Sequence, residues 1–192
     1  MRGIELLKVA RGLNKPFFTI ADLEKITGLA RRSLYVTLKR WVDDALIERV
    51  GQGIYVPAMT DVSLENVAAQ LYIPNYLSFE SALSRYGILN LVPYTLTFAT
   101  PRKTKNFTLR KQGVEFRQIS PRLFFGYEIK NGINIATPEK AFLDQLYFQS
   151  RGKAFMDFDE LNLKGLSPQI VKKVAEQFPG YVQKRLGEIL TA

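Results

Sequence analysis

The 192-residue sequence contains no cysteine and no histidine. Without cysteine the chain can form neither a disulfide framework nor a thiolate nucleophile, and without both residues it cannot form a Cys/His zinc site. The absence of histidine also removes the side chain that most often serves as a general base. A metal ion could be held only by carboxylates. We expect no catalytic residue, no cofactor and no metal.

Long apolar runs are absent as well. No stretch approaches the ~18 consecutive apolar residues that a membrane-spanning helix needs, and the N-terminal residues lack the apolar core of a signal peptide. We therefore expect a cytoplasmic protein without a membrane partner.

Acidic residues are also the minority, with 18 Asp and Glu against 27 Lys and Arg, so the formal net charge is +9. Such a balance favours a polyanionic partner.

The N-terminal residues are typical of a winged helix-turn-helix. Thr19 is suited to cap a helix that has Asp22 in its first turn and ends at Gly28. The helix that follows has one apolar stripe, formed by Leu34, Leu38, Trp41, Val42 and Ala45. Two short β-prone runs on either side of a Gly-Gln-Gly turn then predict a β-hairpin. Together with a first helix over 3–12, these elements predict a DNA-binding domain over 1–57.

The face of the second helix opposite the apolar stripe is basic. In a helix-turn-helix the first residues of the second helix enter the major groove, where arginine can pair with guanine, while serine, tyrosine and lysine reach phosphates. The predicted DNA-binding residues are Arg31, Arg32, Ser33, Tyr35, Lys39 and Arg40 on this helix, with Arg49 and Gln52 on the hairpin. The alternative is an ordinary helical cap with solvated arginines.

The rest of the chain predicts an α+β arrangement of strands followed by helices. Residues 58–73 read as a connecting helix capped by Ser63, and residues 74–192 as a second domain. This domain opens with a short helix that we expect Ser78 to cap. Strands are predicted over 94–99 and 114–119, and the dipeptide Asn131-Gly132 predicts a tight hairpin. Thr137-Pro138-Glu139 is a favourable helix start.

Positive charge is densest in this second domain. Residues 102–122 contain seven basic residues and one acidic residue. Two interpretations stay open, a solvated loop and a second contact with a polyanion such as flanking DNA or RNA. The residues predicted for that second contact are Arg102, Lys103, Lys105, Arg110 and Lys111.

An acid–lysine group on the predicted C-terminal helix raises the question of an enzyme. Glu139, Lys140 and Asp144 are residue types found in carboxylate-metal nucleases. Neighbouring helix positions diverge by about 100°, however, and positions five apart are divergent as well. We therefore interpret the three as a solvated or salt-bridged helix face.

Four ordered phrases behind the winged helix carry a family resemblance. They are Tyr76-Leu77-Ser78-Phe79-Glu80-Ser81-Ala82-Leu83, Phe98-Ala99-Thr100-Pro101-Arg102-Lys103, Phe124-Phe125-Gly126-Tyr127 and Ala136-Thr137-Pro138-Glu139-Lys140-Ala141-Phe142-Leu143-Asp144. In this order they resemble the AbiEi antitoxins of bacterial type IV toxin–antitoxin, or abortive-infection, systems. The resemblance implies a winged helix that binds double-stranded operator DNA and represses the system's own promoter. It also implies a C-terminal domain, here 74–192, that counters a nucleotidyltransferase-like toxin encoded nearby without a stable complex.

Three classes of function follow from the sequence. The first is a non-enzymatic transcriptional autorepressor and antitoxin. The second is a stand-alone winged-helix regulator with a ligand-sensing or assembly domain. The third is a carboxylate-metal nuclease. A toxin gene next to this one would separate the first two, and magnesium-dependent hydrolysis of DNA or RNA would indicate the third.

Overall fold

The computed structural model describes residues 5, 8–9, 12–13, 15–58, 60, 62–155, 157 and 161–191. Its contacts divide the chain into two compact units. The first comprises Met1–Val67 together with Thr108–Lys111, and the second comprises Ala68–Phe107 together with Gln112–Ala192. Most of the predicted first helix, over 3–12, lies outside the described residues. Those of its residues that are described, Glu5, Lys8, Val9 and Gly12, are helical.

Between residues 18 and 57, the first unit contains two helices and a small sheet. Its elements are β1 (Phe18–Thr19), α1 (Ile20–Thr27), α2 (Arg31–Asp43), β2 (Ile47–Gly51) and β3 (Ile54–Pro57). The strands lie in the order β1-β3-β2, and each pair is antiparallel. Helix, turn, helix and hairpin therefore follow one another as the sequence predicts.

The start and the end of α1 are fixed by local chemistry. The Thr19 hydroxyl accepts a hydrogen bond from the Asp22 backbone N–H at 3.2 Å, and the Asp22 carboxylate accepts one from the Thr19 N–H at 2.9 Å. This reciprocal capping box satisfies two amides that a helix start leaves unpaired. Gly28 ends the helix with a φ of 67°, the left-handed conformation that favours glycine. The predicted cap and stop are both confirmed.

The apolar stripe of α2 is shorter than the sequence pattern suggests. Leu34, Leu38 and Trp41 are buried in the core of the first unit, as predicted. Val42 is 36% exposed, and Ala45 is exposed in a turn with a φ of 53°. The prediction is wrong for both residues. Ala45 lies beyond Asp43, where α2 ends, so the helical spacing no longer applies to it, and Val42 lies in the last turn of the helix, at the border of the buried stripe.

The second unit is built around a six-stranded sheet and one central helix. Its strands and helices, with the helix that leads into them, are α3 (Leu64–Leu71), β4 (Tyr76–Leu77), α4 (Phe79–Arg85), β5 (Leu96–Thr100), β6 (Lys105–Leu109), β7 (Gln112–Gln118), β8 (Tyr127–Lys130), β9 (Ile133–Ala136), α5 (Pro138–Gln149), α6 (Pro168–Ala175) and α7 (Gly180–Thr191). The strand order is β6-β7-β5-β4-β9-β8, in which β5 and β7 are parallel, as are β4 and β9. The α+β class is confirmed.

Strand β6 is an element that the sequence does not predict. It pairs with β7 through a two-residue turn formed by Arg110 and Lys111, whose φ values are 45° and 69°. Such turns require positive φ at both central residues and favour Asn-Gly, so Arg-Lys gives no turn signal. The Asn131-Gly132 turn has the same signs of φ, 52° and 80°, with the favoured residues. That predicted hairpin joins β8 and β9 and is confirmed.

Helix α5 is buried on all sides. The ten residues 139–148 are all buried, including Glu139, Lys140 and Asp144. The expectation of a solvated face is therefore wrong, whereas the alternative of a salt bridge is correct. Lys140 and Asp144 form an ion pair one turn apart in which neither side chain has any exposed surface.

The buried pair is completed by two hydroxyls. Tyr76 accepts a hydrogen bond from the Lys140 ammonium at 2.8 Å and donates one to the Asp144 carboxylate at 2.9 Å. Ser78 donates to the same carboxylate at 2.8 Å. The prediction that Ser78 caps α4 is wrong, because its hydroxyl makes this bond instead and provides no cap. Burial raises the pKa of Asp144 and lowers that of Lys140, while the attraction between the two charges opposes both shifts.

Candidate nucleic-acid interface

The N-terminus of α2 differs from that of α1 in having no side-chain cap. Ala30 occupies the capping position, and the first turn contains no acidic residue. The amides at a helix start have no partner within the helix, and with the helix dipole they favour an anion. Arg31 and Arg32 lie in this same turn. A helix start left uncapped and flanked by two arginines is suited to receive a phosphate group.

All residues of α2 that the sequence predicts to bind DNA are exposed. They are Arg31, Arg32, Ser33, Tyr35, Lys39 and Arg40. One of them has an ionic neighbour, since Arg31 Nε lies 3.6 Å from Glu24 Oε1 with 68% of the arginine side chain exposed. A surface pair of this kind is worth little and can open to admit another anion.

An exposed apolar residue on the same helix was not among the predicted site residues. Val36 is 71% exposed, and its neighbour Tyr35 is 50% exposed. Apolar side chains in the major groove contact the methyl group of thymine. The sequence signal was present, because Val36 lies opposite the buried Leu34 and Leu38. The prediction rested on side chains that are charged or form hydrogen bonds, however, and valine is neither.

The hairpin places Arg49 and Gln52 at the surface. Arg49 pairs with Tyr55 across the hairpin, and the register shifts between Arg49 and Gly51, which marks a β-bulge. Gln52 lies in the turn beside Gly53, whose φ is 68°. A bulge redirects the side chains that follow it. The wing thus presents two exposed polar side chains near its tip.

The tip of the β6–β7 turn belongs to the first unit by its contacts. Arg110 Nε and Nη2 donate to the two carboxylate oxygens of Glu48 at 2.7 and 2.6 Å, and the Arg110 backbone N–H donates to the Val50 carbonyl at 2.8 Å. The hydrogen bond to Glu48 raises the pKa of Arg110. Of the predicted second set, Arg110 therefore has its charge balanced by a carboxylate.

The other members of that set lie in the second unit, except for Lys111. The guanidinium of Arg102 lies 4.3 Å from the centre of the Tyr72 ring and donates to the Ile73 carbonyl at 3.0 Å. The ammonium of Lys105 lies 5.2 Å from the same ring. Both side chains are exposed, as are those of Lys103 and Lys111. Stacking on an aromatic ring fixes a cation in place without neutralising it.

Comparison with known protein families gives a match to the N-terminal segment. Residues 5–58 match the family described as "Transcriptional regulator, AbiEi antitoxin". This segment is therefore similar to the AbiEi antitoxin transcriptional regulators. The match covers the helices, the turn and the hairpin described above, and it supports DNA binding by an AbiEi-type antitoxin regulator with a linked toxin. A comparison with curated proteins found no match.

Two other classes of site are not found among the described residues. Within the described part of the chain, no helix is long and apolar enough to cross a membrane. The described residues also contain no group of three or more acidic side chains, histidines or cysteines placed to hold a metal ion.

Proposed function

We propose that the protein represses transcription from the promoter of its own gene and acts as the antitoxin of a type IV toxin–antitoxin pair. The observation that carries the DNA-binding half is the uncapped, basic start of α2, with Arg31, Arg32 and Ser33 exposed around it. The family match over residues 5–58 supports the same conclusion.

In the proposed complex, α2 lies in the major groove. Arg31 and Arg32 read guanine or hold the adjacent phosphate, Ser33 and Tyr35 contact the backbone, and Val36 faces base edges. Arg49 and Gln52 of the wing contact phosphate or the minor groove. Arg102, Lys103, Lys105 and Lys111 supply further phosphate contacts, whereas Arg110 contributes less because Glu48 balances its charge.

The antitoxin half is assigned to the domain over 74–192, and residues 58–73 connect this domain to the DNA-binding domain over 1–57. The toxin is a nucleotidyltransferase-like protein encoded nearby, and neutralisation proceeds without a stable complex between the two proteins. The resemblance of four ordered phrases supports this part, and the N-terminal family match adds the link to a toxin.

Two measurements on the full-length chain test the proposal. DNA from upstream of the gene should bind at least ten times more tightly than scrambled DNA of equal length and composition. Co-expression should restore growth against the product of the adjacent gene. Equal affinity for both DNAs would contradict autorepression, and failure to restore growth by a soluble, folded protein would contradict the antitoxin role.

A further inference from the structure

The second unit contains a polar cleft outside the DNA-binding residues. Its volume is 470 Å³, and it lies between strand β7, the residues that follow it and the C-terminal end of α5. Clefts of roughly 300–1,000 Å³ are the usual size of small-molecule sites. Its cationic lining residues are Arg117, Arg151 and Lys153.

The turn at the C-terminal end of α5 holds two of these cations in a defined place. The Lys153 N–H donates to the Phe148 carbonyl at 2.9 Å, and the Gly152 N–H donates to the Gln149 carbonyl at 2.8 Å. With Gly152 at a φ of 63°, these two bonds form a Schellman motif, which ends a helix with a fixed turn. Arg151 and Lys153 therefore extend from an ordered turn.

The two cations at this turn have no carboxylate partner within the described ranges. Arg151 Nη1 donates to the Tyr147 hydroxyl at 2.8 Å, a neutral group that leaves the positive charge uncompensated. No described residue forms a hydrogen bond or an ion pair with the ammonium group of Lys153. An anion entering the cleft would meet both charges without displacing an ion pair.

Arg117 has a different role in the cleft. Its Nη1 donates to Glu80 at 2.8 Å, and its Nε donates to Glu115 at 2.9 Å. Glu115 is the one carboxylate among the described lining residues, and this bond offsets its charge. The Arg117 side chain is only 14% exposed, so the group forms a rigid wall of the cleft.

Hydroxyl groups complete the lining. Thr104, Ser120 and Tyr147 line the same cleft as the two cations. Phosphate is recognised by lysine or arginine together with hydroxyl donors. Tyr147 and Phe148 are buried beneath the cleft and form its floor. A cleft closed in this way suits a compact group better than an extended strand.

We propose that this cleft binds a small molecule that carries a phosphate or diphosphate group, which Arg151 and Lys153 hold. The site does not use the DNA-binding residues, and so the inference goes beyond the proposed function and can fail independently of it.

The test titrates the full-length protein with sodium pyrophosphate at constant ionic strength, followed by amide resonances in NMR spectra. Saturable shifts are expected at Ser120 and Lys153. The Arg151→Ala/Lys153→Ala variant should bind at least ten times more weakly. The matched control, Lys172→Ala/Lys173→Ala, removes two exposed cations from α6 and should bind within twofold of the parent.

Three results would overturn the proposal. The first is the absence of saturable binding at millimolar pyrophosphate, and the second is an equal loss of binding in the α6 control. The third is a ten-nucleotide single strand that binds this cleft more than ten times more tightly than pyrophosphate, because the occupant would then be a nucleic acid. If the double variant does not fold, Lys153→Met serves in its place, since the exposed Lys153 side chain has no described partner, and at least a threefold weaker affinity is expected.

Discussion

Lys140 donates a hydrogen bond to the Tyr76 hydroxyl at 2.8 Å, and the same hydroxyl donates to Asp144, the ionic partner of Lys140. Tyrosine thus bridges both members of a buried ion pair from a different element, strand β4. The acceptor role of the tyrosine matches a protonated lysine, and its donor role matches an ionised aspartate. The three side chains specify one another's positions at the centre of the second unit.

Removing one charge from this pair should be more costly than removing both. Lys140→Met leaves an uncompensated carboxylate in the core and should lower the free energy of unfolding by about 3–5 kcal/mol. Asp144→Leu leaves an unpaired lysine in the same way, whereas Lys140→Met/Asp144→Leu removes both charges and should cost less than either single variant. Urea denaturation of the parent and the three variants measures the coupling. Additive single effects would show that the charges do not depend on each other.

The recognition helix provides the second prediction. Arg31→Ala and Arg32→Ala should each weaken binding to upstream DNA, by about 1–3 kcal/mol for an arginine that reads a base. Specificity should relax at the base pair that the lost arginine contacts. Binding titrations against single-base variants of the DNA give both quantities, with Lys172→Ala as a folded control of equal charge loss. Wild-type binding by both arginine variants would remove these residues from the interface.

The wing should contribute affinity rather than sequence preference. Arg49→Ala and Gln52→Ala remove side chains assigned to phosphate or the minor groove. They should therefore lower the affinity for upstream DNA and for scrambled DNA by similar factors. The same titrations, repeated with both DNAs, measure the ratio of the affinity for upstream DNA to the affinity for scrambled DNA. A changed ratio at constant total affinity would instead place these side chains on base edges.

The basic segment predicts a change in salt dependence. On duplex DNA, log affinity falls with log salt concentration by roughly 0.9 for each phosphate contact. Replacing Arg102, Lys103 and Lys105 together with alanine should flatten that slope by up to about three contacts' worth, while sequence preference stays the same. Affinity measured at several salt concentrations decides the matter. A parent-like slope would favour the other interpretation, in which these charges only solvate the hairpin.

The capping box predicts a pH dependence. Burial acts to raise the pKa of Asp22, but hydrogen bonds from Lys15 and Thr19 outweigh it and hold the pKa below its usual 3.8. A lowered pKa in the folded state gives stability that is present above the unfolded pKa and is lost as the pH falls through the folded pKa. Asp22→Asn should therefore be less stable than the parent at pH 6, and the difference should shrink below about pH 4. Thermal unfolding followed by circular dichroism, at both pH values, measures it.

Local chemistry explains which parts of the fold could be predicted. Thr19 with Asp22, Gly28 and Asn131-Gly132 each act on the backbone within a few residues of themselves, and each was found where the sequence places it. The Arg110-Lys111 turn could not be predicted, because the residues in it are unfavourable for positive φ. Contacts such as the ion pair from Arg110 to Glu48, 62 residues away, instead fix that turn.

The burial of α5 could not be predicted from the sequence. A helix with glutamate, lysine, aspartate and glutamine resembles a surface helix, and nothing local reveals that Tyr76 and Ser78 supply polar partners from another part of the chain. For the candidate DNA site, the exposed cations could be predicted from the sequence. It missed Val36, and it could not show that Glu48 balances the charge of Arg110.

Trp41 is the single tryptophan of the chain, and it is 2% exposed in the core of the first unit. The second unit has tyrosine and phenylalanine as its aromatic residues. Fluorescence excited at the red edge of the protein's absorption therefore reports on the DNA-binding unit alone. The protein carries its own selective optical probe, so melting of one unit can be followed in the intact chain without a label or a truncation.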